Sequence, residues 1–189
     1  DRDGDDILEM YRLLKEYPDK EQELLKAIVR SRRFELLAPL LKHPERTTTD
    51  SELFSILLEE NPALAEKSVG LFTGIEQKYL HKLIDLTQTK KGTDEPLENS
   101  FIAHKLKHFT ITDFAAFFAY ACKAWQYRAL ATSAVFYPYT AQQRTLLAQT
   151  FVDHRCDEYI QLHFDAFNTV PDDLLMDMFC KAGIASRCA

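Results

Sequence analysis

The chain is predicted to be all-α: a right-handed αα-hairpin repeat solenoid with about five to six repeats of roughly 29–30 residues. Three observations predict it. Apolar residues recur at helical spacing along the whole chain, and almost nothing alternates with the period of a strand. Five Gly and seven Pro among 189 residues are too few for a turn-rich β protein. A Cys-Lys-Ala sequence at Cys122-Lys123-Ala124 recurs at Cys180-Lys181-Ala182, each time closing an apolar helical run. Leu146 to Val152 repeats the pattern without the cysteine, so Cys122, Val152 and Cys180 stand 30 and 28 residues apart. A fixed step of that size is characteristic of stacked repeats, in which neighbours bury a face that one hairpin cannot bury alone.

The elements follow in order. Asp5-Asp6 reads as the cap of a first helix over 5–17, with Ile7, Leu8, Tyr11, Leu13 and Leu14 at helical spacing and Pro18 as its stop. Leu24, Leu25, Ile28 and Val29 make the next apolar face, and Arg30 to Arg33 reads as a turn. Phe34, Leu37, Leu40 and Leu41 return. Asp50 or Ser51 is the expected cap of a helix carrying Leu53, Phe54, Leu57 and Leu58. Asn61-Pro62 breaks it, with Pro at a favoured first helical position, and Ala63 to Phe72 returns. Gly74 opens a third unit with Tyr79, Leu80, Leu83 and Ile84 on one face. The polar stretch Lys90 to Pro96 reads as a loop, and Leu97 to Phe109 as helix. Thr110 to Asp113 caps the helix ending near Cys122. Trp125 to Tyr137 returns to Pro138. Thr140 to Val152 and Cys156 to Phe167 form the fifth pair, and Pro171-Asp172-Asp173 starts the sixth. The expected domain is therefore single, over 1–189. Its repeats are 20–44, 49–72, 74–109, 111–138, 140–168 and an incomplete 171–189 whose open apolar end needs a cover.

Two stretches carry a family likeness. Leu175-Met-Asp-Met-Phe-Cys-Lys-Ala-Gly183 resembles the first helix of a pentatricopeptide repeat. Thr110-Ile-Thr-Asp-Phe-Ala-Ala-Phe-Phe-Ala-Tyr-Ala-Cys-Lys-Ala124 is similar to the repeats of heptatricopeptide, RAP-associated and FAST-kinase-like proteins. The resemblance spans about 110–189. It implies an organellar protein that binds RNA or sits inside a ribosome or respiratory assembly.

Charge and composition narrow the function classes. The formal net charge of −6 argues against wholesale phosphate binding, which works by neutralising nucleic-acid charge. The longest apolar stretch, Phe114 to Cys122, is far short of a membrane span, so none is expected. Cys122, Cys156, Cys180 and Cys188 form no C-x-x-C pair and read as reduced thiols of an intracellular protein. Cys122 and Cys180, two repeats apart, are too distant for a disulfide.

No constellation supports catalysis. His104 and His108 have the spacing of a metal-binding helix, but Lys105 stands where a zincin needs glutamate. They read as a solvated basic face. His154 and Cys156 are two residues apart and point in different directions. Asp1 to Asp6 lacks the glycine and glutamate positions of a calcium loop. No phosphate-binding glycine loop or serine elbow is present. The chain is thus expected to be no enzyme, with no cofactor, metal or small-molecule ligand.

The expected function is a non-catalytic helical-repeat scaffold or accessory subunit making protein–protein contacts in a larger assembly, with the mitochondrion as the compartment the resemblance suggests. Trp125, Tyr137, Tyr139, Phe179 and Ile184 are the expected interface. The alternative is an organellar RNA-binding repeat protein using Arg30, Arg32, Arg33, Lys105 and Lys107.

Overall fold

The structure is a computed structural model that describes residues 2–87 and 100–183. It is all-α, and the described residues form twelve α-helices and one two-stranded parallel pairing. The helices are α1 (Arg2–Glu16), α2 (Glu21–Arg30), α3 (Leu37–Leu41), α4 (Asp50–Glu60), α5 (Pro62–Ser68), α6 (Gln77–Thr87), α7 (Phe101–His104), α8 (Phe114–Lys123), α9 (Tyr127–Phe136), α10 (Ala141–Asp153), α11 (Glu158–Leu162) and α12 (Asp172–Lys181). The strands are β1 (Ile75–Glu76) and β2 (Phe109–Thr110), with Ile75 beside Phe109. The chain divides into two compact units. One runs to Leu83 and takes in His108–Thr110; the other contains Ile84–Lys107 and the chain from Ile111 onward.

In the first unit α2 packs on α4, α4 on α5, and α1 against α3. Leu25, Leu40, Leu53, Phe54, Leu57, Leu58 and Phe72 are fully buried there. Phe54 meets the Phe72 and Phe109 rings edge-on at 5.2 and 6.2 Å, the arrangement that ring quadrupoles favour. The buried Glu21 carboxylate accepts the Thr47 and Thr48 backbone N–H groups, so the loop before α4 is held by a satisfied charge. Thr49, rather than Asp50 or Ser51, caps α4. Its hydroxyl accepts the Glu52 N–H while the Glu52 carboxylate accepts the Thr49 N–H.

In the second unit α8 packs on α10 and α10 on α12, while α7 packs on α9 and α9 on α11. Phe117, Phe118, Cys122, Leu130, Leu147, Phe151, Ile160 and Phe167 fill the interior. Thr140 and Gln143 form a second reciprocal cap at the start of α10. Arg144 reaches from α10 and donates from Nη1 to the Ala134 and Ala166 carbonyls, both at 2.7 Å. A cation at carbonyls left open by helix ends is favourable, so one side chain joins the end of α9 to the segment after α11.

Helices α2, α8, α10 and α12 end alike. The N–H groups of Arg32, Trp125, Arg155 and Gly183 bond to the carbonyls of Val29, Cys122, Val152 and Cys180 at 3.0–3.2 Å. The next N–H, that of Arg33, Gln126 or Cys156, reaches back to Ile28, Ala121 or Phe151. This is the Schellman pattern, and its left-handed residue has φ 59°, 60°, 57° and 72° in the four turns. Three of the carbonyls used are those of the sequence register, Cys122, Val152 and Cys180, and Val29 stands 93 residues, about three such steps, before Cys122. Helix α4 ends differently, at the extended Asn61, which caps α5 with Pro62 in the first turn.

Three local expectations are corrected. Residues 2–6 lie inside α1, so Asp5-Asp6 is not its cap. Of the helix expected over 97–109, the described residues form α7 and a 3-10 turn at Leu106–His108, and Phe109 and Thr110 leave it to pair with β1. The return stretches after Arg33, Ser68 and His163 tighten into 3-10 turns instead of running as continuous helices. The loop expected over 90–96 lies outside the described residues.

Candidate functional site

The chemical constellations come apart in the structure. The His104 ring packs on Phe136 at 4.5 Å, whereas His108 bonds through Nδ1 to the Phe72 carbonyl at 2.8 Å in the other compact unit. They share no helical face. No group of three His, Cys, Asp or Glu that could hold a metal occurs among the described residues. His154 Nδ1 bonds to the Thr150 carbonyl, and the Cys156 thiol donates to the Phe151 carbonyl at 3.4 Å. Cys156 faces Cys122 instead. A thiol–thiol hydrogen bond, followed by burial, pushes the Cys122 thiol far above its ordinary range. Buried protonated thiols are poor nucleophiles. Cys180 is exposed, and Cys188 lies outside the described residues.

The basic residues also divide. Arg30 grips Glu60 with two hydrogen bonds of 2.9 and 3.1 Å. Arg33 is shared between Glu35 and Asp6, and its hydrogen bond holds the Glu35 carboxyl below the usual range. Arg32 is exposed in its left-handed turn. Lys105 is half-buried and Lys107 exposed, and both belong to the second unit, whereas the three arginines belong to the first.

Of the expected interface residues, Trp125 is 69% exposed. Tyr137 is half-buried, with its ring 4.6 Å from Tyr139. Tyr139 is interior, not surface: it is 5% exposed, its hydroxyl lies 2.9 Å from Ser133 Oγ, and its ring meets Phe118 edge-on. Burial pushes its phenol above the ordinary tyrosine range. Phe179 is buried on α12, so it serves packing. Ile184 lies outside the described residues.

A different apolar surface emerges. Val135 and Phe136 at the end of α9, and Leu162 and Phe164 at and beyond the end of α11, are each more than half exposed. Val135, Leu162 and Phe164 line an open pocket of ≈ 680 Å³ together with Arg144, His163 and Asn168. The His163 ring nitrogen sits 3.5 Å from the Thr132 hydroxyl, which joins α9 to the turn after α11. These four large apolar side chains on adjoining segments form one exposed apolar surface. Sequence reasoning passed over them because Val135 and Phe136 continue the apolar pattern of α9 and read as core. Only the weak signal of two successive apolar residues just before Tyr137-Pro138 set them apart. Compared with known protein families, curated proteins and solved structures, the chain matches none.

Proposed function

We propose that the chain is a non-catalytic αα-hairpin repeat scaffold that docks into a larger protein assembly through the exposed ends of α9 and α11. The observation that carries this reading is the exposure of Val135, Phe136, Leu162 and Phe164, each more than half exposed, with Val135, Leu162 and Phe164 lining one open pocket. Moving a large aliphatic or aromatic side chain out of water contributes about 1.5–3 kcal/mol, so a partner that covers this cluster gains most of its affinity there. Two facts support the repeat itself. The same left-handed cap closes four helices, three of them at positions of the sequence register, and first helices pack on first helices (α8, α10, α12) as second helices do on second (α7, α9, α11). The resemblance of residues 110–189 to organellar repeats supports a mitochondrial setting. The test is native purification from the source cell with mass determination of the co-purifying proteins. A stoichiometric partner that is lost in the Phe136→Asp, Phe164→Asp double variant, with unchanged circular dichroism, is the expected result. Recovery as a free monomer, or a partner indifferent to both changes, overturns the reading.

A further inference from the structure

Trp125 occupies a left-handed conformation that favours glycine, and glycine does fill the corresponding place at Gly183. The indole is 69% exposed, so packing does not account for it. Its ring meets Tyr127 edge-on at 6.0 Å, and Tyr127 stacks on Tyr159 at 5.9 Å with the planes 20° apart. One hairpin further on, Arg155 takes the same left-handed place. Lys123, Arg128 and Arg155 are exposed along these two turns and form no ion pair with a described residue. The exposed acids of the same turns are Asp153, which accepts from the Gln149 amide at 2.7 Å, and Glu158. Asp157 in the same turn is buried, so the exposed groups of the edge are the aromatic rings, three cations and two acids, in a chain of net charge −6. Trp, Tyr and Arg are the side chains that dominate interface energies when a partner excludes water from them.

We propose that the α8–α9 and α10–α11 turns form a second docking site, which takes an acidic protein segment whose apolar or aromatic residue packs on the Trp125 indole while its carboxylates meet Lys123, Arg128 and Arg155. The site extends the docking function to a separate surface and does not depend on the Val135–Phe164 cluster. Carboxylates suit it better than a phosphate backbone. Three exposed cations, set against two exposed acids and the buried Asp157, neutralise too little charge to hold a polyanion that must continue past the patch into a negative field. A short segment with two or three carboxylates ends where the cations end.

The chain has one tryptophan, so its emission reports on this site alone. A random short-peptide display library is panned on the full chain and counter-selected on Trp125→Gly, which keeps a turn residue suited to its φ. The expected winners carry Asp or Glu around an aromatic residue. As synthetic peptides they shift the Trp125 emission to shorter wavelength and shield it from acrylamide. Affinity measured with labelled peptide falls more than about tenfold in Trp125→Gly and in Arg155→Glu. It is unchanged in Phe136→Asp, Phe164→Asp, which separates this site from the cluster on the other ends of these helices. The proposal is overturned if no peptide is enriched, if neutral or basic peptides win, if binding leaves the emission unmoved, or if a short oligouridine RNA binds more tightly than the peptides.

Discussion

At the scale of single residues, the backbone at Trp125 and the side chain at Tyr139 make opposite demands. A left-handed L-residue costs about 1–2 kcal/mol, partly offset for Trp125→Gly by the greater freedom glycine has in the unfolded chain. Trp125→Gly is therefore expected to leave the urea midpoint unchanged or raise stability by up to about 1 kcal/mol, whereas an ordinary exposed tryptophan would show no gain. Tyr139 lies at the other extreme. Burial raises its folded-state pKa above the unfolded value of about 10, so the folded chain keeps a proton that the unfolded chain releases. The associated stability is fully present below that pH and is lost as pH rises through the range above it. Cys122, also pushed up, adds a loss of the same sign that begins nearer pH about 8.5. Alkaline urea titrations should show stability falling with pH, and Tyr139→Phe should remove the part that begins near pH about 10. At neutral pH that variant should cost about 1 kcal/mol for the lost hydrogen bond, because Ser133 still donates to the Leu130 carbonyl.

At the scale of elements, caps and one arginine decide where the helices stop and meet. Thr49→Ala and Thr140→Ala should each lower stability by about 1 kcal/mol in denaturant titrations, since each removes the hydroxyl that accepts the Glu52 or Gln143 backbone N–H. Arg144→Met should cost about 2 kcal/mol, and Arg144→Lys should rescue little, because a single ammonium does not span carbonyls on two segments as a guanidinium fork does. The elements most legible in the sequence were those with local signals. Asn61-Pro62 broke α4 as expected, Asp113 capped α8, and Pro171 preceded α12. Thr49 was missed because Thr47 to Ser51 offers five capping residues in a row, and only the Glu52 carboxylate selects among them. Phe109 was read as helix because its pairing with Ile75, 34 residues earlier, leaves no local trace. The exposed aromatic side chains were half legible. Trp125 announced itself by replacing the turn glycine, but Phe136 did not, since helical spacing marks an apolar face without saying whether anything covers it. The partner of Arg30 was not legible for a similar reason: Glu60 is 30 residues away.

At the scale of the whole molecule, the interior is closed to reagents while two surfaces stay open. N-ethylmaleimide on the native chain, followed by peptide mapping, should label Cys180 and spare Cys122 and Cys156 until denaturant is added. Early labelling of Cys122 would contradict the packing of α8 against α10. No helix among the described residues is long and apolar enough to cross a membrane. The repeated left-handed cap has a consequence for how such a chain varies. Positions 32, 125, 155 and 183 are structurally interchangeable, and at each of them the fold prefers glycine. A saturation scan scored for folding alone should rank glycine best at all four. The same scan scored for binding should invert that order only where a side chain is in use. Comparing the two rankings position by position would therefore read out which hairpins of the chain touch a partner, without any knowledge of what the partner is.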